Sequence, residues 1–151
     1  MDDATCMERA LFQARTALLK EEVPIGAIIV LEDKIIAEAH NNSLKKLDAT
    51  GHAEIEALRL ASQAIGNYRL LDAIMYVTLE PCMMCCGALA NARIKEVVFA
   101  AKDPKSGAVV SNDNLLDSTY LNHRVKYREG PFSEDSSTLL KDFFAGKRIK
   151  S

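Results

Sequence analysis

Apolar residues along TCMERALFQARTALLKEE, near the N-terminus, recur at the three- and four-residue spacing of an amphipathic helix. Pro24 follows this stretch and ends the helix. The next segment, IGAIIVLEDKIIAEA, predicts a β-hairpin whose turn lies at Glu32-Asp33. Residues 40–51 are mostly polar and predict a loop, after which the apolar pattern indicates a second helix over residues 52–65.

The middle of the chain alternates between strand and helix patterns. AIMYVTL (73–79) and EVVFAA (96–101) predict buried strands, and a third helix between them has Pro81 in its first turn and runs to about Arg93. A strand–helix–strand unit of this length predicts a crossover between parallel strands. HRVKYRE is a possible edge strand and SSTLLKDFFAGKRIK predicts a closing helix. The expected fold is α/β: a three-layer α/β/α sandwich around a mixed sheet of about five strands.

Composition narrows the class of protein. The 151 residues, of which 48% are hydrophobic and 26% charged, are expected to form a single domain over 1–151. A formal net charge of -2 gives no global indication of nucleic-acid binding. The acidic N-terminus has no signal peptide pattern, and no apolar run reaches the roughly 18 residues of a membrane span. The sequence therefore predicts a cytoplasmic protein without a membrane partner.

The second predicted helix carries a carboxylate on its apolar side. Its stripe is Leu58, Ala61 and Ile65, and one turn before Leu58 comes Glu54. Glu56 lies roughly 200° away around the helix and is expected to face solvent. An inward carboxylate costs several kcal/mol unless a cation or hydrogen bonds compensate it. A compensating group is therefore expected beneath Glu54.

Three cysteines crowd the stretch EPCMMCCGA: Cys82, Cys85 and Cys86. They could be small core residues or a redox dithiol, but the first turn of a helix also lowers the pKa of thiols. His52 and two thiolates would give three zinc ligands with a fourth position open, as in catalytic sites. Glu54 would then be the general base. Helical spacing leaves open whether Cys85 or Cys86 partners Cys82, and a zinc-stabilised or redox binding module is the non-enzymatic alternative.

Three segments carry a resemblance to a known family: GHAEIEALR, YVTLEPCMMCCGALANARI and LNHRV. They resemble the cytidine deaminase-like zinc hydrolases, specifically the bacterial tRNA-specific adenosine deaminases, and the similarity runs from about residue 7 to 148. The resemblance implies one Zn²⁺ per subunit on His52, Cys82 and Cys85, with Glu54 as the proton carrier. The family pattern prefers Cys85 because its members usually have a small residue such as Ala at position 86.

The same resemblance implies a reaction and its partners. Water attacks C6 of the wobble adenosine in a tRNA anticodon stem-loop, Glu54 moves a proton to N1 and then to the departing amine, and inosine and ammonia form. The family is homodimeric with an RNA site drawn from both subunits, and an arginine tRNA is the expected substrate. The expected substrate contacts are Asn41, Ala53, Pro81, Lys105, Asn122, His123 and Arg124.

Two groups of basic residues in the C-terminal part of the chain are candidates for phosphate contacts. One group is Arg124, Lys126 and Arg128, and the other is Lys141, Lys147, Arg148 and Lys150. Tyr120 and Phe144 are candidates for stacking or packing. The segment VVSNDNLL departs from the family pattern. The enzymatic alternative is a deaminase of guanine or another free nucleobase or nucleoside with the same zinc site.

Overall fold

The computed structural model describes the backbone of residues 1–150 and the side chains of residues 1–147. The strands are β1 (Gly26–Leu31), β2 (Lys34–His40), β3 (Ile74–Leu79), β4 (Glu96–Ala101) and β5 (Lys126–Glu129). The helices are α1 (Asp3–Leu19), α2 (Ser43–Lys46), α3 (Ala53–Ile65), α4 (Met83–Asn91) and α5 (Ser133–Lys150), with a 3-10 turn at Leu115–Asp117.

The five strands form one mixed sheet in the order β2-β1-β3-β4-β5. β1 pairs antiparallel with β2 and β3, whereas β3, β4 and β5 run parallel. The hairpin turns at Glu32 and Asp33, whose φ angles of 51° and 62° lie in the left-handed region typical of tight hairpin turns. The predicted hairpin, the parallel crossover and the α/β class are confirmed.

Each face of the sheet is covered by helices. Ala27, Ile29, Val77 and Phe99 pack on one face with apolar residues of α3 and α4. The alternate strand residues, among them Ile28 and Val98, pack on the other face against α1. Helix α5 contacts α1, β3 and β4, which completes the third layer. The strand period of two thus separates two apolar cores.

The structure corrects the predicted environment of Glu56. Its side chain is buried, and Lys46 Nζ lies 2.7 Å from Glu56 Oε2. The predicted loop 40–51 contains helix α2, and Lys46 on α2 reaches Glu56 on the side of α3 expected to face solvent. Ile65, predicted to lie on the apolar stripe, is 37% exposed at the end of α3.

Helix α4 begins later than predicted. Cys82 precedes its first residue with an extended backbone, φ −78° and ψ 177°, so Pro81 lies before the helix instead of in its first turn. The helix ends at Asn91, two residues short of the predicted end. None of the helices in residues 1–150 combines the length and the apolar character needed to cross a bilayer.

Candidate metal centre and active site

The N-termini of α3 and α4 bring the candidate ligands together. His52 precedes α3 with φ −70° and ψ 154°, and Cys82 precedes α4 with a similarly extended backbone. Cys85 lies one turn further along the chain, near the start of α4. Both helices pack on the same face of the sheet. His52, predicted to be the first residue of the second helix, therefore lies just before that helix with an extended backbone.

The distances within this group suit a tetrahedral metal. Nδ1 of His52 lies 3.6 Å from Sγ of Cys82 and 3.6 Å from Sγ of Cys85. One ligand atom from each residue lies within 4.8 Å of the others. Zn–N bonds of about 2.05 Å and Zn–S bonds of about 2.3 Å at a tetrahedral angle separate N and S by about 3.6 Å. The three residues therefore form a group that can hold a metal ion.

The thiols of the group differ in their ionisation. A hydrogen bond with Cys85 lowers the pKa of Cys82 to about 4, and His52 contributes in the same direction. The pKa of Cys85 is raised because its thiol takes part in the hydrogen bond to Cys82 and is buried. Cys82 is thus already a thiolate, and a metal ion would displace the proton that Cys85 retains.

Cys86 has a different environment from its neighbour. Its side chain is fully buried in the core with Leu89 and Val97, and its Sγ lies 3.8 Å from the carbonyl oxygen of Pro81. Burial raises the pKa of Cys86 to about 12. Its sulfur is not part of the group formed by His52, Cys82 and Cys85.

Glu54 lies beside this group in the first turn of α3. The residue is 4% exposed, and burial raises the pKa of its carboxyl to about 7. The charge of His52 and a hydrogen bond with Cys85 lower the pKa of Glu54 and oppose the effect of burial. A carboxyl that titrates near neutrality can both accept and return a proton. The compensating group expected beneath Glu54 is this His/Cys/Cys cluster.

A cavity of about 1270 Å³ opens from the cluster to the surface. His52, Glu54 and Cys82 line its inner part, and Val23, Ile25 and Leu79 are among its apolar walls. Its outer part is lined by the lysines at 102, 105, 141 and 147 and by Phe144, which is 45% exposed. The adjacent Phe143 is instead buried. The cavity therefore joins a buried reactive group to a basic, partly aromatic rim.

Helix α5 is held at this cavity by a polar anchor. Ser136 is fully buried, and its hydroxyl donates to the carbonyl oxygen of Thr78 at 2.6 Å. The Thr78 hydroxyl in turn accepts from the backbone N–H of Gly26 at 3.1 Å. These bonds connect α5 to β3 and β1 two residues before Glu80. They explain how the C-terminal helix reaches the active-site end of the sheet.

Of the predicted substrate contacts, Lys105 lines the cavity, and Asn41, Ala53 and Pro81 lie next to residues that line it. Lys105 lines its rim, and Asn41 is buried with its backbone N–H donating to the carbonyl oxygen of Ile25 at 3.0 Å. Ala53, between His52 and Glu54, is fully buried. The carbonyl oxygen of Pro81 accepts from the N–H of Ala108 at 2.9 Å.

The other three predicted contacts lie elsewhere in the subunit. Nε2 of His123 is 2.7 Å from the carbonyl oxygen of Ile94, which precedes β4 at the end remote from the cavity. Asn122 and Arg124 flank it, and Arg124 pairs with Asp117 at 3.6 Å. Within the part of the chain whose side chains are described, none of these three lines the cavity. Their contact with substrate stays a prediction.

Some basic residues of the C-terminal third pair with carboxylates, which neutralises their charge. Arg128 pairs with Asp3 and with Glu96, and Lys102 lies 3.5 Å from Glu129. The side chains of Arg148 and Lys150, predicted phosphate contacts, lie outside the described residues. The basic surface at the cavity therefore depends on Lys105 and on Lys141 and Lys147 of α5.

Two buried carboxylates beside the cavity were not identified from the sequence. Glu22 is fully buried and accepts the backbone N–H groups of Leu44 at 3.1 Å and Lys45 at 2.8 Å, which holds α2. Glu80 is 2% exposed and accepts N–H groups from the segment after β4. The N–H groups that bind Glu22 and Glu80 are distant from them in sequence, so the local sequence pattern does not indicate that either carboxylate holds another segment.

Comparison with known proteins agrees with the geometry. The family model described as MafB19-like deaminase matches residues 1–148. A tRNA-specific adenosine deaminase of Aquifex aeolicus is 48% identical over 135 residues, covering 89% of this chain and 89% of the relative.

Solved structures separate two kinds of deaminase. A structure from studies of A-to-I editing by tRNA:A34 deaminases has a TM-score of 0.88 and 41% identity, covering 91% of this chain and 99% of that one. The guanine deaminase from Bacillus subtilis has a TM-score of 0.67 and 32% identity, and the match covers 98% of this chain and 95% of that one. The similarity to guanine deaminase is the weaker one, and the chain belongs to the family of tRNA-specific adenosine deaminases.

Proposed function

We propose that this protein hydrolyses the wobble adenosine of a tRNA anticodon stem-loop to inosine and releases ammonia. The observation that carries the proposal is a buried carboxyl, Glu54, beside a His/Cys/Cys cluster at the bottom of a cavity with a lysine rim. The cavity of about 1270 Å³ exceeds the roughly 300–1,000 Å³ of most small-molecule sites. That size suits a nucleotide with its flanking residues better than a free base.

The cluster has the donor set of a catalytic zinc site. His52, Cys82 and Cys85 would hold one Zn²⁺ per subunit, and three protein ligands leave a position for the reaction. Bound there, zinc would supply the Lewis acidity that makes water a nucleophile near neutral pH. Two thiolates also offset the charge of the ion, which suits attack on a neutral base.

The proton transfers are assigned to Glu54. Its carboxylate accepts a proton from the water that adds to C6 of adenine and delivers it to N1. It then carries the second proton of the same water to the exocyclic amine. The bond between this amine and C6 breaks, which leaves ammonia and inosine. A pKa of about 7 lets the same carboxyl act as base and as acid.

The rim of the cavity is proposed to hold RNA. Lys105, Lys141 and Lys147 offer phosphate contacts, and Phe144 offers an aromatic face for a base. Asn41, Ala53 and Pro81 would contact the target nucleoside from the inner part of the cavity. An arginine tRNA is the proposed substrate by family resemblance, and the cytoplasm is the proposed compartment.

A homodimer is part of the proposal. Asn122, His123 and Arg124 lie far from the cavity of their own subunit, so contact with substrate requires them to act at the site of a second copy. A groove of about 420 Å³ between α3 and α4, lined by Ile55, Leu58 and Tyr68 among others, supports association through this side. Tyr68 is 66% exposed and would be covered in such a dimer.

The test compares substrates with the zinc-loaded full-length protein. An anticodon stem-loop RNA with adenosine at the wobble position is incubated beside free guanine, and inosine, xanthine and ammonia are quantified. We expect inosine in the stem-loop and no guanine turnover. A stem-loop with the adenosine moved to the stem is the matched control and should stay unmodified. Guanine turnover without inosine would contradict the proposal and favour a free-base deaminase.

A further inference from the structure

A buried carboxylate joins the end of β3 to a distant loop. Glu80 is 2% exposed and lies directly before Pro81 and Cys82. Its Oε1 accepts the N–H of Asp103 at 3.0 Å and the hydroxyl of Ser111. Its Oε2 accepts the N–H groups of Val109 at 3.0 Å, Val110 at 2.8 Å and Ser111 at 2.9 Å. The side chain thus meets five donors from one loop.

These bonds close the loop between residues 103 and 111. Asp103 lies near its start, and the other donors lie at its end. Inside the loop, Oδ1 of Asp103 accepts the N–H groups of Lys105 at 3.1 Å and Ser106 at 3.2 Å. Since Lys105 lines the cavity rim and is exposed, its position follows from the position of Asp103. The carboxylate of Glu80 supports this arrangement from beneath.

Gly107 shows how closely the loop backbone packs on that carboxylate. A Cβ on Gly107 would lie 2.4 Å from Cδ of Glu80 and 2.5 Å from its Oε1. The next residue, Ala108, donates its N–H to the carbonyl oxygen of Pro81 at 2.9 Å. The segment 80–82 therefore carries the loop anchor and the candidate metal ligand Cys82 within three residues.

The hydrogen bonds of Glu80 also distinguish it from Glu54. Three N–H donors on Oε2 and two donors on Oε1 occupy the lone pairs of the carboxylate. A carboxylate so engaged is suited to holding backbone and not to exchanging protons with substrate. Removing it would leave the buried N–H of Val109 and the part-buried N–H groups of Asp103, Val110 and Ser111 without this acceptor, which costs more than the loss of one exposed bond.

We propose that Glu80 is a positioning residue, whose hydrogen bonds to residues 103 and 109–111 fix the loop that presents Lys105 to the substrate. The role of Lys105 as a phosphate contact rests on the proposed function. The anchoring of the loop does not, because it follows from the hydrogen bonds of Glu80 alone.

The first experiment measures the loop without using activity. Amide hydrogen exchange is followed in the zinc-loaded wild-type protein and in Glu80→Gln, with metal content measured in parallel. Gln keeps the size and one acceptor oxygen, which the three N–H groups at the Oε2 position retain, whereas its NH₂ group faces the N–H of Asp103. Amide exchange at Asp103 should therefore accelerate about tenfold or more. Zinc content should stay that of the wild type. Unchanged exchange in this loop would refute the proposal.

A matched control is available at the other buried carboxylate. Glu22→Gln replaces the acceptor of one of the N–H groups of Leu44 and Lys45, so exchange should accelerate at one of these two residues and stay as in the wild type in the 103–111 loop. If Glu80→Gln does not fold, Gly107→Ala tests the same contact from the loop side, since its Cβ would displace the carboxylate. Exchange at Asp103 should accelerate in this variant too.

The second experiment is a double-mutant cycle on the stem-loop RNA. Lys105→Ala and Glu80→Gln should each raise KM several-fold with a smaller effect on kcat. If Glu80 acts through Lys105, Lys105→Ala should cost less than about twofold in kcat/KM on the Glu80→Gln background. Additive effects would refute positioning. If the wild-type protein forms no inosine, the proposed function is refuted. The hydrogen-exchange experiment would still show whether Glu80 anchors the loop.

Discussion

Adjacent cysteines on α4 have different surroundings because one helical step rotates the side chain by about 100°. Sγ of Cys85 meets Nδ1 of His52 at 3.6 Å, whereas Sγ of Cys86 lies in the core, 3.8 Å from the carbonyl oxygen of Pro81. Both residues are fully buried, so burial alone does not distinguish them. The direction of each side chain decides which one can be a ligand.

Substitution of the two cysteines by alanine should therefore have opposite results. Cys85→Ala removes a ligand and should lower the zinc content well below one ion per subunit after dialysis. Cys86→Ala removes the same atom, Sγ, from a core residue outside the cluster, and this variant should retain one ion. Metal analysis of both purified variants measures the difference, and the reverse result would overturn the assignment.

Glu54 lies beside the candidate metal ligands and is not part of their group. Glu54→Gln keeps the shape of the side chain but abolishes proton transfer, so kcat on the stem-loop RNA should fall by about 10²–10⁴. Zinc content should be unchanged because the three ligand residues are intact. Inosine formation is measured beside metal content, and full activity in this variant would remove Glu54 from the mechanism.

At the scale of elements, α1 approaches β1 most closely at Gly26. A Cβ on this residue would lie 2.0 Å from the carbonyl oxygen of Ala10 and 2.6 Å from the backbone nitrogen of Ala14. Both obstacles are helix backbone, which cannot move aside as a flexible side chain can. A glycine is therefore required for α1 to lie on the sheet in this position.

Gly26→Ala should destabilise the protein by about 1–3 kcal/mol or more, since it forces α1 away from β1. The free energy of unfolding in urea measures the effect. Gly146→Ala is the control, because an added Cβ at this position on α5 would meet no described atom within 4 Å beyond the adjacent helix backbone, and alanine favours a helix. The control should be neutral or slightly stabilising. Equal stability of the Gly26 variant and the wild type would contradict the packing argument.

At the scale of the whole molecule, Asp3 connects the start of the chain to two strands. Its carboxylate accepts from Nη2 of Arg128 at 2.9 Å and from the hydroxyl of Tyr76 at 2.8 Å. The Arg128 hydrogen bond is the main cause that lowers the pKa of Asp3 below its usual value of 3.8. A carboxyl with a lowered pKa stabilises the folded state above its unfolded pKa, and loses this contribution as the pH falls through the folded pKa.

Asp3→Asn should therefore lower the free energy of unfolding at pH 7, and the difference from the wild type should shrink below about pH 4. Asp3 and Arg128 are partly exposed, so the effect is expected to be modest and to weaken in high salt. Urea unfolding at several pH values measures it. Asp113→Asn, at an exposed position, should leave the curve unchanged; a pH-independent effect of Asp3→Asn would contradict the argument.

The sequence by itself determined the order of the main helices and strands, the mixed five-stranded sheet and the family. These features follow from local periodicity and from short motifs: the hairpin turn at Glu32-Asp33 and the inward position of Glu54 are examples. The approach of His52 to the cysteines was also inferable, because a buried carboxylate requires a partner.

Only the tertiary structure decided what lies against each side chain. It brought Cys85, but not Cys86, to His52, buried Glu56 under α2, and placed the N–H groups of residues 103–111 around Glu80. It also left Asn122, His123 and Arg124 away from the cavity. Periodicity describes which face of an element is buried, whereas the partners on that face come from distant parts of the chain and depend on how the elements pack.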